Sequence, residues 1–257
     1  MLLVIDVGNS NMVIGVYSGK KLKHHWRLET KKERTADEFG IFFKELFQFA
    51  DLKMKAVDAI AISNVVPPLE FSLDRMCTRY FGIKPLTIDH RVKMPIKIGL
   101  TQPQEVGADR IVNAAAGVMK YGSPVILIDF GTATTFDFIN KAKVYKGGCI
   151  CPGIAISNEA LFQRASKLPR VEIKKTSRII GKNTVESIQA GIFYGYVGMV
   201  DEVVRRMQKE SKTKGPVVAT GGFLGLISKA SRRITHTDPY LTLDGLRLLY
   251  EWNRKKR

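Results

Sequence analysis

Two stretches of the sequence end an apolar run on an acid and turn at once through glycine: LLVIDVGNSNMVIGVY at 2–17 and VILIDFGTATTFDFI at 125–139. In each, an aspartate, Asp6 or Asp129, is followed by one apolar residue, a glycine, a small polar turn and a renewed apolar run. Glycine carries no side chain, so the backbone N–H groups of such a turn can approach a phosphate closely beside the carboxylate. Asn9, Ser10 and Asn11 add side-chain donors to the first turn. A single turn of this kind fits an ordinary Gly/Asn hairpin just as well. Two matched turns, spaced by nearly half the chain, point to a pair of loops that hold a nucleotide's phosphates across a cleft. Positioning and charge neutralisation are what phosphoryl transfer requires.

A third acid, Asp109, lies in EVGADRIVNA at 105–114, where the spacing predicts a helix over 109–120. The positive end of a helix dipole would keep its carboxylate ionised and able to accept a hydroxyl proton. Arg110 beside it could bind a substrate carboxylate with both arms of its guanidinium. An N-terminal helix acid and a surface arginine are the plainer alternative. The sequence has no GxxxxGK[ST], no clean GxGxxG and no HExxH, so P-loop, Rossmann and zincin chemistry lack their parts.

The elements that must position these acids follow from periodicity. Residues 2–7 and 12–17 read as the two strands of a hairpin, with a third strand at 22–29. Thr35 and Glu38 form a capping-box pattern ahead of Phe39, Phe42, Phe43, Leu46 and Phe47, which predicts a helix to about residue 50. A buried strand fits 57–66, Pro67 and Pro68 interrupt it, helical spacing covers 69–81, and a short strand fits 86–89. In the second half the pattern predicts a strand at 124–130, a helix from about 154, a basic loop at 167–183, a helix over 184–210, a strand entering the glycines of 217–222, and a helix over 242–256 ending in RKKR. Glycines 191, 195 and 198 read as close-packing positions of the long helix. The whole is an α/β protein of two facing copies of one unit, 1–115 and 116–257, with the active-site cleft between them.

Composition narrows the class. The 257 residues, 45% of them hydrophobic, can bury a sizeable core, which excludes disordered and collagen-like chains. Three unevenly spaced cysteines, Cys77, Cys149 and Cys151, suit free thiols and a reducing compartment, so a cytoplasmic location is expected. No apolar stretch approaches the roughly 20 residues of a membrane span, and no membrane partner is expected. The net charge of +17 raises the question of nucleic acid. The basic residues are dispersed, carry no zinc-finger or RNP1 motif and are not interleaved with aromatics, so no specific nucleic acid is expected.

The blocks DVGNSN at 6–11, EVGADRIVNA at 105–114, DFGTATT at 129–135, GGCICPGI at 147–154, GKNT at 181–184 and ATGG at 219–222 together resemble type III pantothenate kinases, in order along essentially the whole chain. The resemblance implies a duplicated actin-like (ribonuclease H-like) ATPase core and transfer of the ATP γ-phosphoryl group to pantothenate, giving 4′-phosphopantothenate for coenzyme A synthesis. It also implies Mg²⁺, a monovalent cation (K⁺ or NH₄⁺) and a homodimer. Helix 184–210 is the candidate for that contact, and its apolar Ile188, Ile192, Phe193, Val197 and Val200 suit burial either against a partner or, more plainly, in the chain's own core.

Carried over by position, Asp6, Val7, Gly8, Asn9, Ser10, Asn11, Met12 and Val13 would form the phosphate-binding turn, and Thr132 would contact ATP. Gly107, Ala108, Asp109, Arg110 and Thr184 would hold pantothenate, with Asp109 as general base, and Asp129 would bind the monovalent cation. Capping by Asn183 and Glu186 is the alternative for the Thr184 segment, and a plain strand position the alternative for Thr132. The first turn reads GNSN where the family usually has GNTN, and Leu100 stands where many members place a tyrosine. Two rivals remain: a non-catalytic basic regulatory or accessory protein on the same fold, motivated by the charge, and an actin-like or Hsp70-like ATPase, which 257 residues fit poorly.

Overall fold

Both Asp-Gly turns join neighbouring antiparallel strands, and the two sheets that contain them share one strand order. The computed structural model describes residues 1–254. They form two compact units: Met1–Pro95 with Thr101–Ala116 and the C-terminal helix, and Ile96–Leu100 with Gly117–Tyr240.

In the first unit, β1 (Leu2–Val7) and β2 (Asn11–Ser18) form the hairpin around the first turn, and β3 (Lys21–Glu29) extends it antiparallel. Helix α1 (Ala36–Phe49) then crosses to β4 (Ala59–Asn64), which pairs parallel with β1. The prolines break the chain into a 3₁₀ turn at Pro67–Leu69, followed by α2 (Glu70–Met76), a wider π turn over Cys77–Phe81 and β5 (Leu86–Thr87). The sheet order is β3-β2-β1-β4-β5.

β6 (Lys97–Ile98) belongs to the second sheet, and α3 (Ala108–Tyr121) leads into β7 (Val125–Phe130), β8 (Ala133–Ile139) and β9 (Val144–Pro152). After α4 (Ile154–Arg164) and α5 (Thr184–Ser211) come β10 (Val217–Gly221), α6 (Leu224–Ile227), β11 (His236–Thr237) and α7 (Leu241–Arg254). The order β11-β10-β7-β8-β9-β6 repeats the first sheet, with β6 as an added edge. In both, an antiparallel three-strand meander is joined by parallel strands on its other side.

β1 reads as an unbroken apolar run because helices cover both faces of its sheet. On one face Leu3, Ile5 and Val7 pack with Phe39, Phe43 and Phe47 of α1 and with Leu73 and Met76 of α2. On the other, a methyl group added to Gly15 would meet Val4 and Leu243 within 3.2 Å, so α7 lies directly on the strands. The predicted capping box of α1 is present: Thr35 N–H donates to Glu38 Oε2 at 2.7 Å, and Glu38 N–H donates to Thr35 Oγ1 at 3.3 Å.

The division read from the repeated motif leaves α7 in 116–257, whereas its residues pack against β1, β2 and β4 of the first unit. Tyr17 donates to Asp244 and Thr242 to Asn113, and Gly245 sits so close to Val112 that a Cβ there would come within 2.6 Å of its carbonyl oxygen. Residues 255–257, most of the predicted basic RKKR tail, lie outside the described residues. The long helix α5 takes the plainer of its two readings. Ile188, Ile192, Phe193 and Val200 are buried in the second unit's own core with Ile126, Ile128 and Phe136, and Val197 packs against that core. Large apolar side chains are exposed elsewhere on this unit, at Ile150, Ile156, Phe162, Ile179 and Ile180. No helix among the described residues is long and apolar enough to cross a membrane.

Candidate active site

Asp6 closes β1 and faces Val13 on β2 and Ser63 on β4 in the sheet register. Gly8 N–H donates to the Asn11 carbonyl at 3.0 Å, which tightens the turn and leaves Asn9, Ser10 and Asn11 exposed at its tip. The start of the next loop clamps this turn: Thr30 Oγ1 donates to the Gly8 carbonyl at 2.7 Å, and Thr30 N–H donates to the Ser10 carbonyl at 3.1 Å. Val7 and Met12 point into the core with no exposed surface, so only their backbone can serve a ligand. Val13 is half-buried.

The second turn reproduces the first. Asp129 on β7 faces Thr135 on β8 and Thr220 on β10, as Asp6 faces Val13 and Ser63. Gly131 N–H donates to the Ala133 carbonyl at 3.1 Å, and the half-buried Thr132 sits at the turn. Backbone crowds this turn from two sides. A Cβ on Gly221, whose φ is +97°, would fall 2.5 Å from Asp129 Oδ1, and one on Gly153 would fall 2.1 Å from the Thr132 carbonyl. Both glycines lie in blocks noticed in the sequence, but only the structure shows that Gly221 makes room at Asp129 and Gly153 at the Thr132 carbonyl. Ser63 and Thr220 are the other residues sequence reasoning passed over. They are buried hydroxyls beside the two acids, and the short ISN and ATGG strand ends were their only signal.

Asp109 lies in the first turn of α3, half-buried, with Oδ1 accepting from Arg110 N–H at 2.7 Å. Gly107 stands just before it, and a Cβ there would come 2.6 Å from that oxygen and turn the carboxylate aside. Ala108 is buried and Arg110 half-buried, so side-chain chemistry at this corner rests on Asp109 and Arg110. Thr184 is exposed at the start of α5, whose cap is made by its neighbour: Asn183 Oδ1 accepts from Glu186 N–H at 2.9 Å. Leu100 is half-buried and lies against Gly147, whose φ of +99° only glycine adopts freely.

The described residues contain no group of three or more His, Cys, Asp or Glu that could cage a metal. One carboxylate at each of the two glycine turns instead suits a hard cation that keeps waters and takes its other ligands from phosphate oxygens.

Residues 2–206 match the family model described as type III pantothenate kinase. The chain is 54% identical over all 257 residues to the type III pantothenate kinase of Geobacillus kaustophilus, covering the whole of both chains. It belongs to the type III pantothenate kinase family. The family's Geobacter sulfurreducens member is 55% identical over 255 residues, covering 99% of this chain and all of its own. Among solved structures, a Campylobacter jejuni chain given provisionally as a Baf family transcriptional activator aligns with a TM-score of 0.62 at 19% identity over 98% of this chain and 99% of its own. The inorganic polyphosphate/ATP-glucomannokinase of Arthrobacter sp. strain KM aligns at 0.52 and 13% over 100% and 99%. At those identities the likeness establishes the fold alone, a duplicated actin-like core.

Proposed function

We propose that this chain phosphorylates pantothenate at its primary hydroxyl with ATP, giving 4′-phosphopantothenate and ADP. The observation that carries this reading is full-length identity above one half to enzymes of that name. The repeated Asp-Gly turns supply the chemistry that such a kinase needs. In this reading the Gly8–Asn11 turn and Thr132 bind ATP, while Gly107, Arg110 and Thr184 hold pantothenate, Arg110 by its carboxylate.

Asp109, oriented by the Arg110 N–H, takes the hydroxyl proton. The freed oxygen bonds to the γ-phosphorus as the bond from that phosphorus to the β,γ-bridging oxygen breaks, and the bridging oxygen leaves with the electron pair on ADP. Mg²⁺ carried with ATP supplies neutralisation of phosphate charge. Asp6 lies at the first turn to orient that charge, and Asp129 is assigned the monovalent cation, K⁺ or NH₄⁺.

A homodimer fits the exposed Ile150, Ile156, Phe162, Ile179 and Ile180 better than it fits the α5 face already used by the second unit's core. A cytoplasmic location suits a kinase of this class with free cysteines. The test is pantothenate-dependent ADP release from Mg-ATP, measured with potassium and then with sodium as the sole monovalent cation. Turnover with potassium that collapses in sodium is the expected result. Equal turnover in both would remove the cation assignment, and none in either, with the fold verified, would remove the kinase reading.

A further inference from the structure

The first unit holds a second concentration of positive charge that the proposed reaction does not use. A groove of about 460 Å³ is lined by the 32–37 loop and by Pro68, Phe71, Ser72, Arg75 and Arg79. Four cations border it, Lys32, Arg34, Arg75 and Arg79, against two carboxylates, Glu33 and Asp37. Asp37 is already engaged, accepting from Arg79 Nη1 and from the Tyr80 hydroxyl, each at 2.7 Å. Glu38 nearby is taken up by the Thr35 cap.

Arg34 is the anomaly. It is only 9% exposed and lies over the Phe42 ring at 4.3 Å; its charge acts on the Glu38 carboxylate, but its guanidinium forms no hydrogen bond or ion pair among the described residues. The aromatic face offsets part of the cost of burying a cation, and the guanidinium nitrogens are not among the buried polar atoms left without a partner, so their N–H groups open to the groove, where a ligand oxygen can replace water. A planar fork lining a cationic groove matches the oxygens of a tetrahedral phosphate. Phe71, largely exposed and with Arg75 over its ring at 5.9 Å, adds an apolar wall.

We propose that this groove is an anion site that binds the phosphate group of a small phosphate ester, with Arg34 as its anchor and Lys32 and Arg75 as supporting charges. The inference uses the first unit alone and stands apart from the kinase reading. Its place makes it a candidate effector site, because Thr30, which clamps the Gly8–Asn11 turn, begins the loop that carries Lys32 and Arg34.

The experiment is calorimetric titration of the full chain with inorganic pyrophosphate, after the nucleotide site has been saturated with a non-hydrolysable ATP analogue. Arg34→Gln should weaken the remaining binding about tenfold or more, the loss expected for a charged hydrogen-bonding partner. Because Arg34 also packs on Phe42, the exposed pair Lys32→Gln and Arg75→Gln serves as a second variant. It should weaken binding several-fold with the melting temperature unchanged. Pyrophosphate binding that is absent with the nucleotide site filled, or identical in both variants, would overturn the site. Equal affinity for succinate would overturn its assignment to phosphate.

Discussion

Asp109 carries the sharpest expectation at the scale of single residues. If it takes the hydroxyl proton, Asp109→Asn keeps the shape of the corner and loses the base, so kcat should fall about 10²- to 10⁴-fold with a small change in KM for pantothenate. Steady-state kinetics on the folded variant decide this, and near-normal kcat would take Asp109 out of the role. Asp129→Ala should flatten the potassium titration of activity while leaving the chain folded, which the melting temperature checks. An unchanged potassium response would place the cation elsewhere. Asp6 and Asp129 were legible in the sequence because each ends an apolar run before glycine. Ser63 and Thr220 were not, since a small hydroxyl residue at a strand end looks the same whether or not an acid lies opposite it in the sheet.

Among the elements, α1 shows how a local signal becomes a measurable quantity. Glu38 is held below the ordinary carboxylate range by hydrogen bonds from the Thr35 backbone and hydroxyl, with lesser help from Arg34 and Lys31. A carboxylate depressed in the folded state contributes stability that is present above its unfolded value near 4.5 and is lost as pH falls through the lower folded value. Thr35→Ala removes the N-cap hydroxyl, a loss of about 1 kcal/mol for such caps, and with it the hydroxyl's share of the hydrogen bonds that hold Glu38 down. The gap between variant and parent in urea unfolding should narrow as pH falls through the acid side of that range, and a pH-independent gap would contradict the linkage. The capping box, the first hairpin and α5 could be read directly because each is fixed by residues within a few positions. β6 and β11, two residues each, and the four-residue α6 have too few positions to show a period. β9 was hidden by its glycines, which are there because a Cβ on Gly148 would sit 1.7 Å from the Phe136 carbonyl oxygen.

For the molecule as a whole, the duplication seen in two short motifs extends to the entire sheet order, which no spacing of motifs could establish by itself. The destination of α7 was not legible either. Its apolar stripe announces that one face is buried, but not which sheet receives it. The exposed apolar residues of the second unit lead to an expectation about assembly: sedimentation equilibrium should return twice the 28.8 kDa chain mass, and Ile179→Asp with Ile180→Asp should shift the population toward monomer. A parent protein that sediments as a monomer at micromolar concentration would remove the homodimer from the reading.

The return of α7 to the first unit also sets an order of events during synthesis. A ribosome makes the β1–β5 sheet early, yet one face of that sheet stays uncovered until Leu241, Leu246 and Leu249 have emerged, after the second unit's strands have already been made. The half of the protein translated first is thus the half completed last, and its nascent form must wait with apolar surface open to whatever cellular machinery shelters unfinished chains.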